Sequence, residues 1–429
     1  MNLDYQETTL DNGVRVLTAH MPQVFSAACG VWVGVGGRYE GKRQSGTSHF
    51  IEHLLFKGTA KRSARAISQA IEGRGGYFNA FTQEESTCYY ARIGAPHIWK
   101  AVDILTDMYR APRLAPADVD RERGVIIEEI MMYRDQPSQL VQDHLGELLW
   151  PGHPLGRPLI GTPQNIARMT RDEIIAFKAR KYVGANTRVA IAGRVEHAAC
   201  VDAVGQALQD LPRGPAPRCR KVADDLSPVP CLVQQKEIEQ THLAMGFRCF
   251  GRHDTRRFTG KLLSVLLGEN MSSRLFQVVR EKNGLAYSVH SGLHLFDETG
   301  ALIISAGLER ARTGKALQLI TGELGRLATR PVGARELKRA KDYAIGQLQI
   351  GLESTINQMM WIGENNISFS RLIQPETVIH ELQAVTAEDI QRLAASWFRR
   401  KQASVALITP NPADRQQKEI ESALRNLPA

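Results

Sequence analysis

The chain has 429 residues, 43% hydrophobic and 23% charged, with a formal charge of +9. That length exceeds what a single hydrophobic core usually supports, so two or more domains are expected, with the composition of an ordinary globular protein. The charge is uneven: residues 1–210 carry 24 basic and 23 acidic side chains (+1), and the remainder 30 and 22 (+8). Even so, Arg252, Arg256, Arg257 and Arg399-Arg400-Lys401 are scattered among acids and apolar positions, which argues against a nucleic-acid surface. Six cysteines lack Cys-x-x-Cys spacing and are too few for a disulfide scaffold of this size, so they read as reduced thiols. No run approaches the roughly 20 apolar residues of a membrane span. The stretch Met1–Thr9 carries acids and no apolar core, unlike a secretory or transit peptide. A soluble, cytoplasmic protein is expected.

From the start, Val14 and Val16, then Val31, Val33 and Val35, alternate with other residues. This is the period of a half-buried strand, with Asn12-Gly13 as a tight-turn signal. Gly46 with Thr47 and Ser48 prepares a helix that Gly58 ends. On that helix His49 and His53 are four apart, so their side chains lie ~40° from each other and can reach one point beside it. Glu52 falls ~80° to one side of the direction midway between them. It cannot easily share a metal with the imidazoles but can reach a water there, the position of a general base. The order is the inverse of the better-known His-Glu-x-x-His.

A second helix, Ser63 to Glu72, precedes a hairpin of Tyr77–Phe81 and Ser86–Ile93. Residues 97–110 and 118–135 read as amphipathic helices. The second of these carries Glu122 and Glu129, seven apart and within ~20° of each other. Val125, Ile126 and Met132 fall near them, and carboxylates in an apolar stripe are costly without a compensating cation or donor. Glu129 is therefore the candidate third ligand and Glu122 a supporting carboxylate, while Glu128 points away to the surface. Helices over 138–149 and 170–182 and a strand over 188–192 follow.

Residues 211–230 hold five prolines (Pro212, Pro215, Pro217, Pro228, Pro230) and few large apolar side chains, a linker composition. The pattern then restarts, with a strand near Leu243–Phe247, a helix near Phe258–Leu267 and a hairpin region about Gly284–Tyr287. This is an internal repeat of about half the chain. Where the first copy has His49-Phe-Ile-Glu52-His53, the second has approximately Gly260–Leu267, without metal ligands.

The stretch Gly46-Thr-Ser-His49-Phe-Ile-Glu52-His53-Leu-Leu-Phe56-Lys57-Gly58-Thr59 resembles the signature of the pitrilysin/insulinase-type zinc metallopeptidases. The branch it looks most like is that of the mitochondrial processing peptidase β-subunit and its compact bacterial relatives. Further similar stretches are Gly75–Thr82, His153–Arg157, Tyr182 with Asn186, Ser273–Phe276 and Gly284–Tyr287.

The resemblance implies an α+β protein of two tandem homologous α/β-roll domains, each a mainly antiparallel sheet with helices on one side. The expected division is a catalytic zinc-binding domain over 1–211, a linker over 212–230 and a metal-free, substrate-enclosing domain over 231–429. It implies one Zn²⁺ per chain, held by His49, His53 and Glu129, with Glu52 moving the proton and Glu122 in support. Asn79, Ala80 and Phe81 would hold a peptide as an added β-strand, and Arg280 and Tyr287 would reach the scissile peptide from the second half. Read from the residues alone, Arg280 could be a surface cation and Tyr287 a core residue. The expected function is a zinc-dependent endopeptidase acting on peptides or unfolded segments in a chamber between half-domains. The alternative is a non-catalytic partner or scaffolding subunit of the same fold. A homodimer or a heterodimer with a related chain is expected, with no nucleic acid and no membrane.

Overall fold

A computed structural model describes residues 4–223, 227 and 230–429. Residues 1–3 of the expected first domain, and 224–226 and 228–229 of the expected linker (Pro228 among them), lie outside the described residues.

The first half of the sequence builds a six-stranded sheet from β1 (Asp4–Thr9), β2 (Arg15–His20), β3 (Ser26–Val33), β4 (Tyr77–Thr82), β5 (Thr87–Gly94) and β6 (Thr187–Gly193). The second half builds a five-stranded sheet from β7 (Cys231–Gln235), β8 (Gln240–Phe250), β9 (Ala286–Leu295), β10 (Thr299–Glu309) and β11 (Ala403–Thr409). Their orders are β1-β2-β6-β3-β5-β4 and β7-β11-β8-β10-β9. Leaving out β1, each begins with one parallel pair (β2 with β6, β7 with β11) and continues antiparallel. The two copies therefore share one connectivity, which is the internal repeat in three dimensions. The helix Thr47–Leu55 follows β3 as Arg257–Gly268 follows β8, so the histidine turn has its metal-free counterpart where the sequence places it.

Local chemistry explains most element ends. Asn12-Gly13 closes the β1–β2 hairpin, with Gly13 at φ 88°. Ser63 accepts from Ala66 N at the start of Ala64–Glu72, and Thr170 with Glu173 forms a capping box on Arg171–Lys181.

Each sheet has the expected helix layer on one face, and one further helix covers the other. Most helices of the first unit gather on one face, over a core that includes Val31, Phe50, Leu105, Ile126 and Phe177. The other face carries Leu17, Ala28, Trp32 and Ala190, and it is covered by Met359 and Ile362 of the helix Thr355–Phe369. Close approach depends on glycine here. A Cβ on Gly363 would stand 2.3 Å from Trp32 Nε1, and one on Gly30 2.4 Å from Met359 Sδ. Asn366 adds polar ties, accepting from Arg188 Nε (3.0 Å) and donating to Glu7 Oε2 (2.9 Å). With both faces covered, β3 is buried along nearly all its length, so its valine alternation does not mark a wet face.

The second sheet repeats the device. Its main core includes Phe247, Leu263, Ile304, Leu317 and Phe398, while the opposite face takes Val141, Leu145 and Leu149 of the helix Pro137–Leu149. Each sheet thus borrows one helix from the other half of the sequence. The compact units are residues 1–131, 158–220 and 349–374, and residues 132–157, 221–348 and 375–429. This differs from a division into continuous blocks of 1–211 and 231–429. Among the described residues no helix is long and apolar enough to cross a membrane.

Candidate active site

The helix Thr47–Leu55 packs Phe50, Ile51, Leu54 and Leu55 into the core. This leaves the side of His49 and His53 away from it. Its start is set by tertiary contacts more than by its own residues. Gly46, at φ 95°, is the N-cap and offers no side chain. The buried Glu40 accepts instead from Gly46 N (2.7 Å) and Ser48 N (2.6 Å), satisfying two of the helix's orphan donors and placing a negative charge at its positive end.

The second helix, Pro116–Asp135, buries Val119, Ile126 and Ile130 with Glu122 on the same side. Arg123 pins it, donating to Ile166 O (2.6 Å) and Met169 O (2.8 Å) while its guanidinium lies 5.9 Å from the Phe50 ring centre. The apolar stripe read from the sequence is only partly present: Ile126 is buried, but Val125 and Met132 are 47% and 51% exposed. The helix contacts its own unit over a narrower arc than the hydrophobic pattern suggests.

The two helices bring His49, His53 and Glu129 together, with one ligand atom from each lying within 4.8 Å of the others. Glu129 Oε2 is 3.7 Å from His49 Nε2 and 3.5 Å from His53 Nε2. Glu122, 2% exposed, meets His53 Nδ1 at 3.1 Å, and Lys57 Nζ meets Glu122 Oε1 at 2.7 Å. A hydrogen on His53 Nδ1 directed at Glu122 leaves the Nε2 lone pair facing Glu129 and His49, the arrangement that orients a metal-binding imidazole. His49 Nδ1 is buried without a hydrogen-bond partner among the described residues, so only one of the two imidazoles has such an anchor. Glu128 is exposed, as its helical direction requires.

Glu52 stands beside this group, and the Thr82 hydroxyl at the end of β4 donates to its Oε2. Burial raises the Glu52 pKa, against the lowering effects of the Thr82 bond and nearby His53. Burial and the neighbouring His53 push His49 down to about 4, so its imidazole is neutral near pH 7. Burial also acts to lower His53, but Glu129 and Glu122 outweigh it and raise the pKa. Bonding to His53 holds Glu129 below the usual range.

This donor set fits a divalent cation. Two imidazoles and one carboxylate are a common zinc set with a coordination position to spare. The ion's charge would be balanced by Glu129 and Glu52, because Lys57 already compensates Glu122.

Asn79, Ala80 and Phe81 lie on β4, which pairs with β5 on one side and is the edge strand of its sheet. Asn79 is exposed, and its Oδ1 accepts from Ala80 N at 2.8 Å. Arg280 and Tyr287 belong to the second unit and adjoin there. Arg280 sits in the π-helical turn Phe276–Glu281, its guanidinium 4.7 Å from the Phe276 ring centre and 5.8 Å from that of Tyr287. Tyr287 is 77% exposed, which removes the core reading.

Thr82, Lys57 and Glu40 carry contacts that their sequence positions do not announce. Lys57 lies in the turn just past the helix end, four residues after His53, close enough in sequence to have been considered. Nothing in the sequence tied Thr82 to Glu52 or Glu40 to the helix start, because those contacts span 30 and up to 8 residues through tertiary structure.

Two sheets of one connectivity, with a His-His-Glu group that could hold a metal ion carried on two helices of the first unit, define a class: two-roll proteins with the inverted His-x-x-Glu-His turn. Residues 15–163 match the family described as insulinase (peptidase family M16), and residues 168–343 match the peptidase M16 inactive domain. An uncharacterized zinc protease of Mycobacterium leprae (strain TN) is 38% identical over 404 residues, covering 93% of this chain and 91% of that protein. One of Bacillus subtilis (strain 168) is 34% identical over 403 residues, covering 94% and 98%. A crystal structure of a protease from Helicobacter pylori has the same fold, with a TM-score of 0.88 at 21% identity over 95% of this chain and all (100%) of that one. The chain belongs to the insulinase (M16) peptidase family.

Proposed function

We propose that this protein is a zinc-dependent endopeptidase that hydrolyses peptides or unfolded segments docked as an added β-strand. The observation that carries the reading is the convergence of His49, His53 and Glu129 within 4.8 Å with Glu52 beside them. Relatives named as zinc proteases support the choice of metal. His49, His53 and Glu129 would hold the zinc, which supplies a Lewis acid that polarises a carbonyl and makes water acidic near neutral pH.

Glu52 uses the carboxylate oxygen that Thr82 does not occupy. It takes the proton of the attacking water and returns it to the leaving amine. Glu122 keeps the His53 ring in place, and Lys57 keeps Glu122 in place. The free edge of β4 offers backbone groups to an extended peptide, which fixes the scissile bond in register. Asn79 releases Ala80 N to the incoming strand.

Arg280 and Tyr287 supply further donors, a guanidinium to a substrate carbonyl and a phenol to the developing oxyanion. Arg280→Ala and Tyr287→Phe are expected to lower kcat/KM by roughly ten- to a thousand-fold, the range for lost oxyanion donors. Zinc content and melting temperature should stay nearly unchanged, since one group is partly exposed and the other 77% exposed. Steady-state peptide hydrolysis beside a metal assay and a melting curve checks this. Wild-type kinetics in both variants would remove the second half from the chemistry.

A chain of complex III2 from Candida albicans also shares the fold, with a TM-score of 0.82 at 18% identity. The alternative reading is a non-catalytic subunit of the same fold, and this likeness carries the fold alone. The intact set of His49, Glu52, His53 and Glu129 favours the peptidase. Cleavage of a quenched peptide, abolished by chelator and restored by zinc, supports the enzyme; absence of zinc and of cleavage supports the scaffold. The reading includes a cytoplasmic setting and pairing with itself or a related chain.

A further inference from the structure

The general base and the strand proposed to receive substrate meet at one side chain. Thr82 is the last residue of β4, three positions beyond Asn79, and its hydroxyl donates to Glu52 Oε2. We propose that Thr82 is a positioning residue that aims the Glu52 carboxylate and ties its orientation to the strand on which the substrate docks. This rests on the zinc-peptidase reading and deepens it.

Three observations carry the inference. First, Thr82 is itself held firmly. Its backbone pairs with Thr87, the hairpin closes through Gln83 N to Ser86 O at 2.8 Å, and Gly37 N and Arg38 N donate to Gln83 O (3.2 Å) and Glu84 O (2.8 Å). Arg38 also pairs with Glu85. The turn is seated so closely that a Cβ on Gly36 would stand 1.8 Å from Gln83 O. Second, threonine is β-branched and has few χ1 states, so a fixed backbone gives a fixed hydroxyl. Third, among the described residues no other side chain donates a hydrogen bond to Glu52.

A carboxylate on a flexible two-carbon stem that loses its one anchor can rotate away from the water it must deprotonate. Misplacement by about 1 Å is enough to cost on the order of a hundredfold. The hydroxyl also occupies Oε2, which leaves Oε1 as the oxygen that accepts the proton. A peptide added to the free edge of β4 would pair with the strand that Thr82 ends. Docking and base orientation thereby share one rigid element.

The test compares Thr82→Val, which keeps the shape and removes the donor, with Thr82→Ser, which keeps the donor. For Thr82→Val, kcat on a quenched peptide should fall about 10- to 100-fold with KM within about twofold. Zinc per chain and melting temperature should match wild type, and Thr82→Ser should recover most of kcat. Wild-type kcat in the valine variant overturns the proposal. So does an equal loss in the serine variant, or a loss explained by missing zinc or a lowered melting temperature. A zinc-loaded wild type that cleaves no peptide overturns the peptidase reading, and this inference with it.

Discussion

Glu52→Gln is expected to bind zinc as the wild type does while kcat falls about a hundred- to ten-thousand-fold, the span of general acid–base catalysis. The substitution keeps size and the capacity to accept from Thr82, and removes only the ability to take up and hand on a proton. Glu52 lies on the same turn as both histidines yet is absent from the group whose ligand atoms lie within 4.8 Å of one another. Metal should therefore be insensitive to the change. Zinc analysis beside steady-state hydrolysis reads both quantities. Loss of stoichiometric zinc would make Glu52 a ligand, and near-normal turnover would remove it from proton transfer.

Adjacent carboxylates give the second large effect. Glu129→Gln should weaken zinc binding by more than about a hundredfold, beyond what removing a partner that merely orients a ligand costs. It removes the charged member of the donor set, whose Oε2 lies 3.5 Å from His53 Nε2 and 3.7 Å from His49 Nε2. Glu128→Gln, one residue earlier and exposed, should leave both affinity and kcat within about twofold. Competition against a chelator of known affinity measures the difference. An exchange of the two results would mean that the wrong carboxylate has been chosen.

The parts of this site that were legible in the sequence are those where helical geometry turns spacing into direction. His49 with His53, and Glu122 with Glu129, are such pairs, and the structure brings all four together. The repeat was legible because both halves carry the same order of strand, helix and hairpin, and both fold to one connectivity.

What escaped is tertiary in origin. The helices Pro137–Leu149 and Thr355–Phe369 each announce an apolar face but not the sheet that will receive it. Their exchange makes the compact units discontinuous and buries β3 on both sides, contrary to its alternating pattern. Val125 and Met132 show the opposite failure: an apolar residue at core-like spacing is not buried unless a neighbour reaches that arc of the helix. Glu40, which caps the histidine helix, and Thr82, which holds Glu52, act across turns and strands that no local pattern encodes.

Bound zinc and peptide-bond hydrolysis are expected to belong to one site in this chain. The most direct test is titration of zinc into chelator-stripped protein, with cleavage of an unbiased peptide library followed by mass spectrometry at each step. Hydrolysis of internal peptide bonds should rise linearly with zinc and saturate at one equivalent per chain. Cleavage that is independent of zinc, or one equivalent of tightly bound zinc with every peptide intact, would contradict a single shared site.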